Sequence, residues 1–142
     1  MHSPIGLTVS VPLFFNRDET IDFHSLDRYL EHLCRNQHIF AVYSMAYNTR
    51  YRMLDHQEML AVNQFICSRV KEYGHRIFVG HPYSFTKKQL NSYLEEIAKS
   101  EPDGISMLYP ERYFGQSEPI INFLKTPMKF NLKPILHEMC LV

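Results

Sequence analysis

Five apolar runs rich in β-forming residues alternate with four amphipathic helical patterns, and this alternation limits the fold more than any other feature of the chain. The runs are Leu7–Leu13, Ile39–Met45, Ile77–His81, Gly104–Tyr109 and Lys133–Met139. The first helical pattern places Phe23, Leu26, Tyr29, Leu30, Leu33 and Cys34 on one stripe. The second does so with Met59, Val62, Ile66, Val70 and Tyr73 and ends at Gly74. The third carries Leu90, Tyr93, Leu94 and Ile97. The fourth is shorter, Ile120 to Leu124, and Pro127 stops it. Spacings of three and four residues put one apolar face on each helix. Successive runs begin about 30 residues apart, the size of a βα unit.

The helix starts carry their own signals. Asp22 can cap the first helix, with Ile21 and Leu26 placed as a hydrophobic staple. Asp55 with Glu58 and Thr86 with Gln89 have capping-box spacing, stapled by Leu54–Met59 and Phe85–Leu90. Ser117 is the expected cap of the fourth helix, with Pro119 just inside it.

The order β-α-β-α-β-α-β-α-β implies a parallel sheet covered by helices. Two α/β architectures fit: an open doubly wound sheet, or the first five strands and four helices of a TIM-type (β/α) barrel. The link from Phe14 to Asp22 holds no glycine-rich phosphate loop, which counts against a dinucleotide-binding open sheet. No linker or low-complexity segment divides the 142 residues, so they read as a single domain.

Charge and composition exclude several functions. Lys plus Arg equals Asp plus Glu, 15 each, so nothing in the net charge draws nucleic acid or an anionic membrane. No apolar run nears the ~20 residues of a membrane span, and Met1 to Gly6 lacks the features of a signal peptide. The three cysteines form no CxxC pair and read as free thiols. A cytoplasmic location is the expectation. The eight histidines form no HExxH spacing. His137 and Cys140 fall on opposite faces of a strand, so neither a metal nor another cofactor is expected. A GxSxG nucleophile elbow is also missing.

Several segments, in order, resemble the dihydrodipicolinate synthase / N-acetylneuraminate lyase family. They are Gly6-Leu-Thr-Val-Ser-Val-Pro-Leu-Phe-Phe15, Ile21-Asp22-Phe23, and Ala46 to Tyr51 followed by Leu54 and Glu58. Ile77-Phe-Val-Gly80, Asp103-Gly104, Tyr109-Pro110 with Tyr113-Phe114, and Pro134-Ile-Leu136 continue the series. The resemblance spans essentially the whole chain and rests on order and spacing, since no single motif is intact. It implies a (β/α)₈ barrel in which a strand-six lysine forms a Schiff base with pyruvate or another 2-oxo acid. A carbon–carbon bond is then made or broken. It also implies self-association, since relatives form tetramers.

Position by position, the family's threonine pair, which holds the keto acid's carboxylate, falls on Tyr47 and Asn48. Its glutamate falls on Arg50, and its proton-shuttling tyrosine on His137. The tyrosine of its strand-four loop is most nearly Tyr113, and the lysine position lies beyond Val142. This is the pattern of a divergent subgroup.

The side chains themselves allow the same chemistry. Catalytic groups of (β/α) barrels sit at the C-terminal strand ends, and those ends carry Tyr47, Asn48, Arg50, His81, Tyr83, Tyr109, Glu111, Arg112, Tyr113, His137 and Glu138. Arg50 can grip a carboxylate through two parallel bonds, with Tyr47 and Asn48 as further donors. His137 titrates near neutrality and can pass protons, with Tyr113 as its companion. Structural readings compete with each role. Arg50 can pair with Glu111, His137 can face the helix layer, and the tyrosines can be packing aromatics. His24 and His32, and Lys87 and Lys88, read as solvated.

A whole barrel takes ~250 residues, so this chain reads as a partial one, truncated after strand five. Two functions follow. The first is the N-terminal half of a 2-oxo-acid lyase, inactive without its lysine, with pyruvate or a similar acid as partner. The second is a non-catalytic carboxylate-binding or scaffold protein that keeps the half barrel.

Overall fold

The computed structural model describes residues 6–44, 54–81, 86–108 and 113–136. The elements alternate as anticipated: β1 (Leu7–Ser10), α1 (Phe23–Cys34), β2 (Ile39–Ser44), α2 (His56–Glu72), β3 (Arg76–Gly80), α3 (Lys87–Ala98), β4 (Gly104–Met107), α4 (Ser117–Leu124) and β5 (Pro134–Leu136). A single 3₁₀ turn, Pro127–Phe130, follows α4.

The five strands form one sheet in the order β1-β2-β3-β4-β5, every neighbouring pair parallel. This order decides between the two architectures. A doubly wound sheet reverses its strand order at a switch point so that helices cover both faces. Here no reversal occurs. Right-handed crossovers that always step to the next strand put every helix on the same side, as in a barrel wall.

Burial follows that asymmetry. Val42, Ile77, Val79, Ile105 and Met107 are fully buried and pack with Leu26 and Leu30 of α1, Val62, Ile66 and Val70 of α2, and Leu94 and Ile97 of α3. The alternate residues form register rows on the other face: Thr8–Ala41–Arg76, Ser10–Tyr43–Phe78–Gly104 and Gly80–Ser106–Ile135. Thr8 and Arg76 are exposed, Tyr43 and Phe78 half-buried, and Ile135 is 36% exposed, while the small residues Ala41, Gly80, Gly104 and Ser106 are buried. In a closed barrel this is the inner face.

Local signals explain the element ends. Asp22 accepts the Ser25 amide at 2.9 Å. Asp55–Glu58 and Thr86–Gln89 each form both bonds of a capping box. Gly74, at φ +75°, closes α2: its amide bonds Lys71 O, and the His75 amide reaches back to Val70 O, the paired bonds of a Schellman end. β1 is shorter than its apolar run. The Val11 amide still bonds Tyr43 O at 3.0 Å, but Pro12 has no N–H to continue the ladder.

Helix α4 differs from the expectation. Its N-cap is Gln116, which makes no side-chain cap bond, and Ser117 lies inside the first turn. The helix also has no fully buried residue, so packing does not pin its start to the serine. Among the described residues no helix is long and apolar enough to cross a membrane.

Candidate active site at the C-terminal strand ends

Strand alternation delivers different groups to the two faces at the C-terminal end of the sheet. On the inner face the Tyr43 hydroxyl donates to Ser106 Oγ at 2.8 Å, spanning β2 to β4 across β3. On the helix face three fully buried polar residues, Ser44, Asn63 and Tyr93, make a chain of bonds. Ser44 Oγ donates to Asn63 Oδ1 at 2.5 Å. Asn63 Nδ2 donates to the Tyr93 hydroxyl at 2.7 Å. The Tyr93 hydroxyl donates to Gly80 O at 2.9 Å. Burial pushes the Tyr93 phenol far above its ordinary pKa, so it stays protonated and keeps its donor.

His81 follows Gly80 directly and is only 7% exposed. Its Nε2 lies 3.0 Å from both the amide nitrogen and the carbonyl oxygen of Leu108, at the end of β4. The imidazole packs edge-on against Phe123 of α4, ring centres 5.7 Å apart, and Phe123 meets Tyr113 in the same way at 6.1 Å. Among the described residues no three His, Cys, Asp or Glu side chains are grouped to hold a metal ion.

Of the residues given a catalytic or binding role from the sequence, Tyr113 is the one among the described residues. It is half-buried, and Phe123 links its ring to His81. Tyr47, Asn48, Arg50 and His137 lie outside the described residues, as do Tyr83, Tyr109, Glu111, Arg112 and Glu138. His24, His32, Lys87 and Lys88 are exposed.

Asn63, Tyr93, Tyr43 and Ser106 were not anticipated as part of this region. For Asn63 the signal was present: it falls four residues after Met59 and three before Ile66, inside the apolar stripe of α2. A polar side chain there must find a buried partner. Tyr93 is a tyrosine in a stripe otherwise aliphatic, and its hydroxyl carries the same demand. Nothing in the sequence pairs Tyr43 with Ser106, 63 residues apart.

No family model and no curated protein matches the sequence. Solved structures do match. The chain is similar to a 4-hydroxy-tetrahydrodipicolinate synthase from Methylacidiphilum fumariolicum SolV at 18% identity and a TM-score of 0.82, covering 96% of this chain and 45% of that one. An N-acetylneuraminate lyase from Aliivibrio salmonicida matches at 14% identity and 0.82, with the same shares covered. A prophage protein of the dihydrodipicolinic acid synthase family from E. coli K12, in complex with pyruvate, matches at 14% and 0.81, covering 95% and 45%. The chain thus spans about half the length of the structures it matches. One-sided helix packing, an unreversed strand order and this half-length match agree: the chain carries the fold of the N-terminal half of the dihydrodipicolinate synthase and N-acetylneuraminate lyase barrels.

Proposed function

We propose that the chain contributes the carboxylate-binding side of a barrel that takes pyruvate or another small 2-oxo acid at the C-terminal strand ends. The observation that carries this reading is the fold similarity to a family member solved in complex with pyruvate. It is supported by the polar and aromatic groups, Tyr43, His81, Ser106 and Tyr113, found at or just beyond the matching strand ends.

In this reading Arg50 grips the carboxylate with two parallel N–H···O bonds, a geometry suited to a planar anion. Tyr47 and Asn48 add neutral donors. His137 and Tyr113 hold and pass protons near the 2-oxo group. Carbon–carbon lyase chemistry of the Schiff-base kind needs an amine nucleophile of lowered pKa. By resemblance that lysine belongs to strand six, and the described residues reach strand five. In this reading residues 1–142 supply binding groups rather than the nucleophile. The replacements at Tyr47, Asn48, Arg50 and His137 favour binding over family-standard catalysis.

Titration with pyruvate, followed by borohydride reduction and mass measurement, tests both parts. The expected result is saturable binding, weakened about tenfold (~1.4 kcal/mol) by Arg50→Ala, with no covalent adduct. Absence of binding overturns the site. A stoichiometric lysine adduct overturns the assignment of the nucleophile to strand six.

A further inference from the structure

At the C-terminal end of the described sheet, a set of side-chain bonds joins the centre strands beyond their backbone pairing. Among the described residues the last β2–β3 pair is Ser44 with Val79. From Ser44 the bonds continue through Asn63 of α2 and Tyr93 of α3 to the carbonyl of Gly80. The last β3–β4 pair is Gly80 with Ser106. From there His81 carries the connection to Leu108. Six consecutive partners thus lace the exits of β2, β3 and β4 to one another and to two helices.

The polarity of this chain admits one arrangement. The Tyr93 hydroxyl has one proton, which goes to Gly80 O, so it receives Asn63 Nδ2–H. That turns Asn63 Oδ1 toward the Ser44 hydroxyl. Ser44, Asn63 and Tyr93 have no access to water, so a group that loses its bond there cannot turn to solvent instead. Packing alone would not demand these groups. An aliphatic residue at position 63 and a phenylalanine at 93 would fill the same space.

We propose that Tyr93 and Asn63 are positioning residues for the barrel mouth: they hold Ser44 of β2 and Gly80 of β3 in place, and through Gly80 they aim His81. Their importance for ligand binding rests on the reading that this mouth is the binding face. Their effect on His81 does not.

The test is nuclear magnetic resonance on the full 142-residue chain with labelled histidine and backbone amides. Tyr93→Phe removes one oxygen and keeps the ring. Its expected effects are shifts of the His81 imidazole nitrogens and about tenfold faster exchange of the Leu108 amide. Ser44→Ala, a milder cut at the other end, moves the same signals in the same direction and serves if Tyr93→Phe does not fold. Leu30→Ala, a packing change on α1, lowers stability and leaves His81 where it was. Unchanged His81 and Leu108 signals in both hydroxyl variants overturn the proposal.

Pyruvate titration separates it from the binding reading. If the wild-type chain ignores pyruvate, that reading falls and the His81 signals still decide the positioning role. If the wild-type chain binds, Tyr93→Phe weakens affinity about tenfold, and unchanged affinity overturns the proposal.

Discussion

The imidazole of His81 faces a single residue in two ways: Nε2 sits 3.0 Å from the Leu108 amide nitrogen and 3.0 Å from the Leu108 carbonyl oxygen. Only one of these contacts is a hydrogen bond in a given protonation state. A neutral ring that accepts the Leu108 N–H at Nε2, and so satisfies that amide, carries its own proton on Nδ1. In nitrogen-detected spectra at alkaline pH, His81 is therefore expected as the Nδ1–H tautomer. A dominant Nε2–H form would mean that the Leu108 amide has another acceptor.

The buried chain from Ser44 to Gly80 predicts an asymmetry in stability. Asn63→Leu removes the central amide and its bonds to Ser44 and Tyr93, and a cost of about 2 kcal/mol is expected. Tyr93→Phe, which leaves Asn63 Nδ2 and Gly80 O short of a partner, costs about 1–2 kcal/mol. The double variant costs less than the sum, because both changes cut one network. Urea denaturation of the three proteins checks this, and strict additivity would show that the links act independently.

Acid sensitivity follows from the first helix and the loop before it. The Ser25 hydroxyl and amide hold the Asp22 carboxyl below its ordinary range, and Thr20 does the same to Asp18. A depressed folded-state pKa stabilises the fold fully above the unfolded value of about 3.9. That contribution fades as pH falls through the folded value. Asp22→Asn keeps an acceptor at the cap but does not titrate. Its stability should vary less with pH below about 4 than that of the wild type, as read from denaturation midpoints at stepped pH.

Cys67 is expected to be inert in the folded protein. Burial pushes its thiol up to about 12, so almost no thiolate exists near neutral pH. Burial also raises Cys34, opposed by the nearby Arg69 charge. Mass mapping after brief alkylation should find Cys67 unmodified until denaturant is added, with Cys34 reacting slowly. Rapid native labelling of Cys67 would mean that α2 opens readily.

The capping devices were legible because they are local: Asp22, Asp55 and Thr86 need only a backbone amide three residues on. Ser117 fails the same pattern. The pattern states what a serine can do, but α4 starts one residue earlier, after Gln116, and no buried residue of that helix anchors its first turn to the serine. For the candidate site, the strand ends could be read from the alternation of runs and helices, and His81 and Tyr113 with them. Their partners could not. Leu108, Phe123 and Ser106 meet His81, Tyr113 and Tyr43 across strands or helices, and no periodicity encodes which distant residues become neighbours.

The sequence by itself determined the parallel βα order, most of the helix boundaries and the apolar side of each helix, because these depend on spacing within one segment. Tertiary structure decided that the sheet runs in unreversed order with all helices on one face. It also decided that Ser44, Asn63, Tyr93 and Gly80 form one chain. Buried polar groups take whichever partner the packed helices bring within hydrogen-bond distance, and that choice is made only when the elements come together.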